Sequence, residues 1–207
     1  MYRLYDFLPS GNGYKVRLLL TQLAIPFVLV ELDILREETR TEDFLAKNPN
    51  GKIPVLETAP NKFIAESNAI LYYLSQDTPY FSQDREEQTQ ILQWLFFEQY
   101  SHEPNIATPR FWITELKQAD KFHQEIVQKR KLGYAALNLM EQHLQTNTFL
   151  VAQRYTIADI ALYAYTHVAP EGGFDLSLFP KIQEWLKRVE SQPNYITINN
   201  KCDRHNQ

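Results

Sequence analysis

The sequence predicts an α/β domain followed by an all-helical domain. Proline is the first indication, because six of the 11 prolines lie within residues 1–80 whereas residues 110–169 contain none. Short apolar runs alternate with helical patterns in the first part, and apolar residues recur at three- and four-residue spacing in the second. A chain of 207 residues is long enough for two small domains with packed cores.

The first domain, residues 1–76, is predicted to contain four strands and three helices. Apolar runs indicate strands at residues 2–7, 27–32, 53–56 and 63–65. Helical patterns lie at residues 14–24, 41–47 and 67–74. The resulting βαβ and ββα order is typical of a small layered α/β unit.

The second domain, residues 88–207, is predicted to be helical and to follow a polar linker at residues 77–87. A capping-box pattern from Thr156 to Asp159 predicts a helix over residues 157–167. Three apolar stripes with helical spacing are interpreted as core: Ile91, Leu92, Leu95 and Phe96; Leu132, Ala136, Leu139, Met140 and Leu144; Ile182, Trp185, Leu186 and Val189.

Composition excludes several classes of protein. The net charge is −4 with no basic run longer than three residues, which argues against nucleic-acid binding. Cys202 is the single cysteine, so no intrachain disulfide or cysteine zinc site is expected, and the five histidines are too scattered to predict a metal site. Without an apolar leader or an 18-residue apolar run, we expect a cytoplasmic protein that does not bind membranes.

The segment PSGNGYKV, residues 9–16, follows the first strand and opens the first helix. Ser10 and Asn12 place short polar side chains at a helix N-terminus, where free N–H groups favour an anion. The spacing fits neither a phosphate-binding loop nor a dinucleotide loop, because Val16 stands where the latter needs a third glycine. Taken alone, the segment fits an ordinary capped helix after a turn better than it fits an anion site.

Two further segments are informative. Residues 48–56 read NPNGKIPVL, and base rates for proline predict a trans bond between Ile53 and Pro54. Glu66, Ser67 and Asn68 open the third helix, where they serve either as a capping cluster or as a seat for a carboxylate.

Together, these three segments and the capping box resemble the glutathione transferase superfamily in order and spacing, over almost the whole chain. The resemblance implies a thioredoxin-like first domain and an all-helical second domain. Within the superfamily, PSGNGYKV is most similar to the PxxNGxK pattern of bacterial Nu-class enzymes and their fungal relatives.

The resemblance implies that Ser10 and Asn12 are the catalytic residues, because they match the positions that face the glutathione sulfur. A thiol with a pKa of ~8.5 needs about 2.7 kcal/mol to shift by ~2 units. One hydrogen bond to the anion supplies ~1.5 to 3 kcal/mol and a helix N-terminus ~0.3 to 1 kcal/mol, so no cysteine is required. Tyr5 and Tyr14 are expected to be scaffold residues, with a tyrosine-type mechanism as the alternative.

The resemblance also implies a glutathione seat. Ile53, before a cis Pro54, matches the residue whose backbone pairs with the cysteinyl part. Lys52 matches a position near the glycyl carboxylate, and Glu66 and Ser67 match the pair that holds the γ-glutamyl end.

The second substrate is expected against the aromatic stretch at residues 96–112, with Tyr100 and Arg110 as candidate pocket residues. A core face with a subunit contact is the alternative for this stretch. Pro104 and Pro109 are expected to bend or interrupt its helix.

These implications predict a cytoplasmic, homodimeric detoxification enzyme that uses glutathione as cosubstrate and no metal. Its reaction is glutathione transfer to electrophiles, with disulfide reduction or peroxide reduction as further possibilities. The alternative is a non-catalytic interaction module of translation or the stress response.

Overall fold

A computed structural model describes residues 1–201, which form two compact units. The first unit comprises Met1–Gln76 together with the segment that begins at Pro193, and the second comprises Asp77–Gln192. The predicted second domain ran to residue 207, so the return of the last segment to the first unit differs from that expectation.

The first unit contains the four predicted strands, which form a mixed sheet. Its strands are β1 (Tyr2–Asp6), β2 (Phe27–Glu31), β3 (Val55–Ala59) and β4 (Lys62–Ala65). The order is β2-β1-β3-β4, with β1 parallel to β2 and the other pairs antiparallel. β3 extends beyond the predicted residue 56 because it continues to pair with β4 as far as Ala59.

Three helices complete the first unit: α1 (Gly11–Gln22), α2 (Glu42–Leu45) and α3 (Ser67–Ser75). Short 3-10 helices lie at Ile34–Arg36 and Glu38–Arg40. Alternate strand residues point to opposite faces of the sheet. Tyr5 and Val55 therefore pack with Phe44 of α2 on one face of the sheet. Leu4 and Leu56 point to the other face and are fully buried there.

A buried ion pair joins β1, α1 and the returning segment. Arg17 Nε lies 2.9 Å from Asp6 Oδ2, and both side chains are fully buried. The same guanidinium donates to the carbonyls of Leu8 at 2.7 Å, Ile198 at 2.8 Å and Asn200 at 2.9 Å. These acceptors explain why the segment beginning at Pro193 groups with the first unit.

The second unit is helical, with α4 (Arg85–Phe97), α5 (Glu103–Arg110), α6 (His123–Leu144), α7 (Ile157–Thr166) and α8 (Pro180–Glu190). The predicted linker is shorter than expected because Asp84 caps α4, which begins at Arg85. Wider π turns at Glu98–His102 and Phe111–Glu115 flank α5, so the predicted interruption is present near Pro104 and Pro109.

The apolar stripes were only partly correct as a prediction of the core. Phe96, Leu132 and Leu139 are 70%, 55% and 47% exposed. The buried face of α6 includes Met140, as predicted, and Gly133, which the stripe did not contain; each follows an exposed leucine by one residue. One residue turns a helix by about 100°, which is enough to move a side chain to the solvent side.

The capping box at the start of α7 is present. Asp159 is fully buried, and its carboxylate accepts from the backbone N–H groups of Thr156 at 2.9 Å and Leu150 at 3.0 Å. It also accepts from Nε1 of Trp185 at 2.9 Å. Burial raises the pKa of Asp159 to about 6, while these hydrogen bonds lower it.

No helix between residues 1 and 201 is long and apolar enough to cross a membrane.

Candidate functional site

A groove in the first unit contains four of the predicted site residues. It encloses about 380 Å³ between the β1–α1 loop, the 3-10 helices and the loop before β3. The lining residues are Ser10, Asn12, Ile34, Glu37, Thr39, Arg40, Gly51, Lys52 and Ile53. Candidates for thiol activation and for peptide binding therefore line the same cavity.

Ser10 is the N-cap of α1. Its hydroxyl accepts from the Gly13 N–H at 3.4 Å, and its carbonyl accepts from the Tyr14 N–H at 2.9 Å. The hydroxyl is thereby held at the N-terminus of a 12-residue helix, where N–H groups and the helix dipole favour an anion.

Gly13 allows β1 to approach the first turn of α1. A Cβ atom built at Gly13 would overlap the carboxylate of Asp6, so a side chain at this position has no room. Asp6 Oδ1 accepts from the Phe7 N–H at 2.7 Å, and Oδ2 accepts from Arg17. Burial raises the pKa of Asp6 to about 6, although Arg17 favours its ionised form. The loop that carries Ser10 therefore rests on a buried ion pair.

Asn12 and Ser67 meet at a buried lysine. Lys15 Nζ donates to Asn12 Oδ1 at 2.8 Å and to Ser67 Oγ at 3.2 Å, and the Ser67 hydroxyl donates to Asn12 Oδ1 at 3.1 Å. A third contact joins Lys15 Nζ to Asn68 Oδ1 at 3.5 Å. The Lys15 side chain is fully buried. The network directly links Asn12, one of the two predicted thiol-activating residues, with Ser67 of the predicted γ-glutamyl seat.

Sequence analysis did not assign a role to Lys15. Its spacing offered one signal, because Asn12 and Lys15 are three residues apart and such residues are neighbours on a helix. Lysine is usually exposed, so its burial was not expected.

The loop before β3 contains a cis bond between Ile53 and Pro54. The trans bond expected from base rates alone was therefore wrong, and the cis bond implied by the family resemblance is present. Buried Asn48 donates to the carbonyl of Lys52 at 2.7 Å, which fixes the loop next to Ile53.

Glu66 and Ser67 open α3 as predicted. Glu66 is the N-cap with φ 67° and ψ 114°, an uncommon conformation for a residue other than glycine. Its side chain is exposed and that of Ser67 is buried.

Arg40 is a second groove residue that sequence analysis missed. Its Nη1 donates to the carbonyl of Asn50 at 3.1 Å. Gly51 has φ 64°, and a Cβ atom there would collide with the Arg40 guanidinium. Both Arg40 and Lys52 are exposed, so the groove carries two cations.

The second unit contains the two candidate pocket residues in different environments. Tyr100 is 87% exposed on a π turn. Arg110 is buried at the end of α5, where its Nε lies 2.6 Å from Glu171 Oε2. Their contact with a second substrate stays a prediction.

The tyrosines considered as scaffold have structural partners within the first unit. Tyr5 donates to Glu57 Oε2 at 3.0 Å, and Tyr14 donates to the carbonyl of Ile196 at 2.7 Å. Cys202 lies outside the described residues. Over residues 1–201, no group of three or more His, Cys, Asp or Glu residues is placed to hold a metal ion.

Comparison with known proteins gives two family matches. The glutathione S-transferase N-terminal domain matches residues 1–76, and the glutathione S-transferase C-terminal domain matches residues 79–193. Disulfide-bond oxidoreductase YfcG of Escherichia coli K12 is 30% identical over 195 residues, which cover 90% of this chain and 89% of that protein.

Solved structures give the same result. A possible glutathione S-transferase from Rhodopseudomonas palustris is 51% identical, with a TM-score of 0.94 and coverage of 96% of this chain and 98% of that one. Ure2p in complex with glutathione is 26% identical, with a TM-score of 0.83 and coverage of 93% and 95% respectively. The chain therefore belongs to the glutathione S-transferase family.

Proposed function

We propose that this protein is an enzyme that binds glutathione in the groove of the first unit and activates its thiol. The observation that carries the proposal is the placement of Ser10 and Asn12 at the N-terminus of α1, in the same groove as Ile53 and Lys52. The structure of Ure2p with glutathione supports the choice of ligand.

The groove suggests an orientation for the tripeptide. The backbone of Ile53 pairs with the cysteinyl part as an added strand would. Lys52, and in addition Arg40, attract the glycyl carboxylate. Glu66 and Ser67 hold the γ-glutamyl end. Charged groups at both ends of the ligand set its register and direct the sulfur towards α1.

Thiol activation in this site requires only preferential binding of the thiolate. The Ser10 hydroxyl and the Asn12 amide are hydrogen-bond donors, and each bond to the anion contributes about 1.5 to 3 kcal/mol. The N-terminus of α1 adds ~0.3 to 1 kcal/mol. These contributions are sufficient for the ~2-unit decrease in thiol pKa that neutral-pH catalysis needs.

The activated thiolate attacks an electrophile in a transferase or a disulfide in a reductase. The relative YfcG is named as a disulfide-bond oxidoreductase, and the neighbour from R. palustris as a possible glutathione S-transferase. We propose glutathione transfer as the main reaction, with disulfide or peroxide reduction as side activities. A homodimer in the cytoplasm, a role in detoxification and the Nu-like subclass are further predictions.

The proposal is tested with Ser10→Ala, followed by titration of the thiolate absorbance of bound glutathione. We expect the pKa of the bound thiol to rise by ~1 to 2 units, because the anion loses one donor. Tyr5→Phe is the matched control that also removes one hydroxyl. A full effect from Tyr5→Phe with none from Ser10→Ala would reject the serine-type mechanism. Failure of the wild-type protein to bind glutathione at millimolar concentration would instead favour the interaction module.

A further inference from the structure

The buried amino group of Lys15 determines which way the Asn12 amide faces. A lysine ammonium group has three donors and no acceptor. The Asn12 atom that lies 2.8 Å from Lys15 Nζ must therefore be the amide oxygen, since an amide nitrogen there would set two donors against each other. The Ser67 hydroxyl donates to the same oxygen at 3.1 Å, which fills both of its lone-pair directions.

Asn12 also lines the groove. The amide is planar and its nitrogen lies on the opposite arm from its oxygen, so fixing the oxygen towards Lys15 directs the N–H groups away from Lys15. An anion in the groove is stabilised by N–H donors and destabilised by an amide oxygen. Only one of the two orientations of the Asn12 amide therefore stabilises a thiolate in the groove. The Asn12 side chain alone does not favour either orientation.

Lys15 is suited to this role because it lacks freedom of its own. Its side chain is fully buried in α1, and Nζ also lies 3.2 Å from Ser67 Oγ and 3.5 Å from Asn68 Oδ1 at the start of α3. Because the Lys15 amino group contacts residues of both α1 and α3, it keeps its position when glutathione binds in the groove. Polar networks of this kind specify one arrangement when their donors and acceptors are matched.

We propose that Lys15 is a positioning residue that holds Asn12 with its N–H groups turned towards the thiol of glutathione. The inference rests on the proposed function and deepens it. Lys15 acts through Asn12, so its effect should vanish when Asn12 is absent. A side chain that can both donate and accept would lose the effect, because it tolerates either orientation of the amide.

The test uses Lys15→Gln, which keeps a polar side chain but can accept as well as donate. We expect the pKa of the bound glutathione thiol to rise by about one unit, a tenfold loss of thiolate near neutral pH. Lys62→Gln is the matched control, since Lys62 is exposed on β4 and outside the groove. Lys15→Met, which removes both donor and charge, gives the same test if the glutamine variant fails to fold.

A double-mutant cycle with Asn12→Ala separates positioning from a direct effect. Adding Lys15→Gln to Asn12→Ala should leave the thiol pKa where Asn12→Ala alone puts it. An unshifted pKa in the Lys15 variants, or the same added shift with and without Asn12, would overturn the inference. In either case, glutathione binding and thiol ionisation by the wild-type protein would leave the proposed function standing. Absence of wild-type binding would overturn both.

Discussion

Replacement of Asp159 tests how a single buried carboxylate stabilises the second unit. In Asp159→Ala, three N–H donors lose their acceptor, namely the backbone groups of Leu150 and Thr156 and Nε1 of Trp185, and so does the Thr156 hydroxyl at 3.2 Å. A buried donor without a partner costs about 1 to 3 kcal/mol, so the three N–H groups alone cost roughly 6 kcal/mol. Capping alone would predict only ~1 kcal/mol.

The cost of burying the carboxylate offsets part of this destabilisation, because Asp159→Ala removes the buried charge. Burial raises the pKa of Asp159 from 3.8 to about 6 even against the hydrogen bonds that lower it, so at neutral pH the ionised carboxylate carries a net cost of roughly 3 kcal/mol that its removal regains. The net destabilisation of Asp159→Ala is then about 3 kcal/mol. Asp159→Asn also regains the desolvation energy, but its amide oxygen can still serve Leu150 and Trp185. The Asn amide nitrogen then faces the Thr156 N–H, which loses its acceptor, and the Thr156 hydroxyl, which can accept instead of donate, so we expect Asp159→Asn to lie within ~1 kcal/mol of wild type.

Urea unfolding at pH 7, followed by circular dichroism, measures these differences. Asp175→Ala is the control, because Asp175 is an exposed cap that accepts from the Ser177 N–H, and its loss should cost less than ~1 kcal/mol. Activity per folded molecule should be unchanged in all three variants. Equal stability of Asp159→Ala and Asp159→Asn would refute the assignment of the cost to unpaired donors.

Two further predictions concern the ion pair under the β1–α1 loop. Gly13→Ala should destabilise the protein by more than ~2 kcal/mol, since its Cβ atom would overlap the Asp6 carboxylate, and a wild-type melting temperature would contradict that close approach. Burial raises the pKa of Asp6 to about 6, so the native state binds more protons than the unfolded chain between about pH 4 and 6. Ionisation of Asp6 should therefore lower the free energy of unfolding as the pH rises through this window, by up to roughly 3 kcal/mol. In Asp6→Asn, the free energy of unfolding should depend less steeply on pH between about pH 4 and 6. Parallel pH profiles for the two proteins would contradict this linkage.

Hydrophobic periodicity and the positions of proline and glycine were sufficient to predict the class of each domain, because the strands and helices have local patterns, whereas the thioredoxin-like fold was implied by the family resemblance. The α/β unit, the helical unit and the capping box at Thr156 are confirmed. Periodicity does not determine which side of an apolar stripe is buried, and Leu132 and Leu139 were placed incorrectly for this reason.

The candidate site residues were chosen by motif, whereas the hydrogen bonds between them could not be predicted in that way. Asn12 and Ser67 are 55 residues apart, and no local pattern indicates that their side chains form a hydrogen bond. Burial of Lys15 depends on α1 and α3 meeting with matched polar groups, which is a property of the tertiary structure. The cis bond before Pro54 is likewise set by its surroundings, so base rates favoured the wrong isomer.

The return of the last segment to the first unit bears on the order in which the chain acquires its structure during synthesis. Arg17 reaches carbonyl groups 181 and 183 residues away, so its buried guanidinium lacks two acceptors until residues 198 and 200 have been made. The second unit is continuous from Asp77 to Gln192, whereas the first unit includes the segment that begins at Pro193. The N-terminal domain usually folds first on the ribosome, but here Arg17 obtains two of its buried acceptors only after the whole second unit has been synthesised.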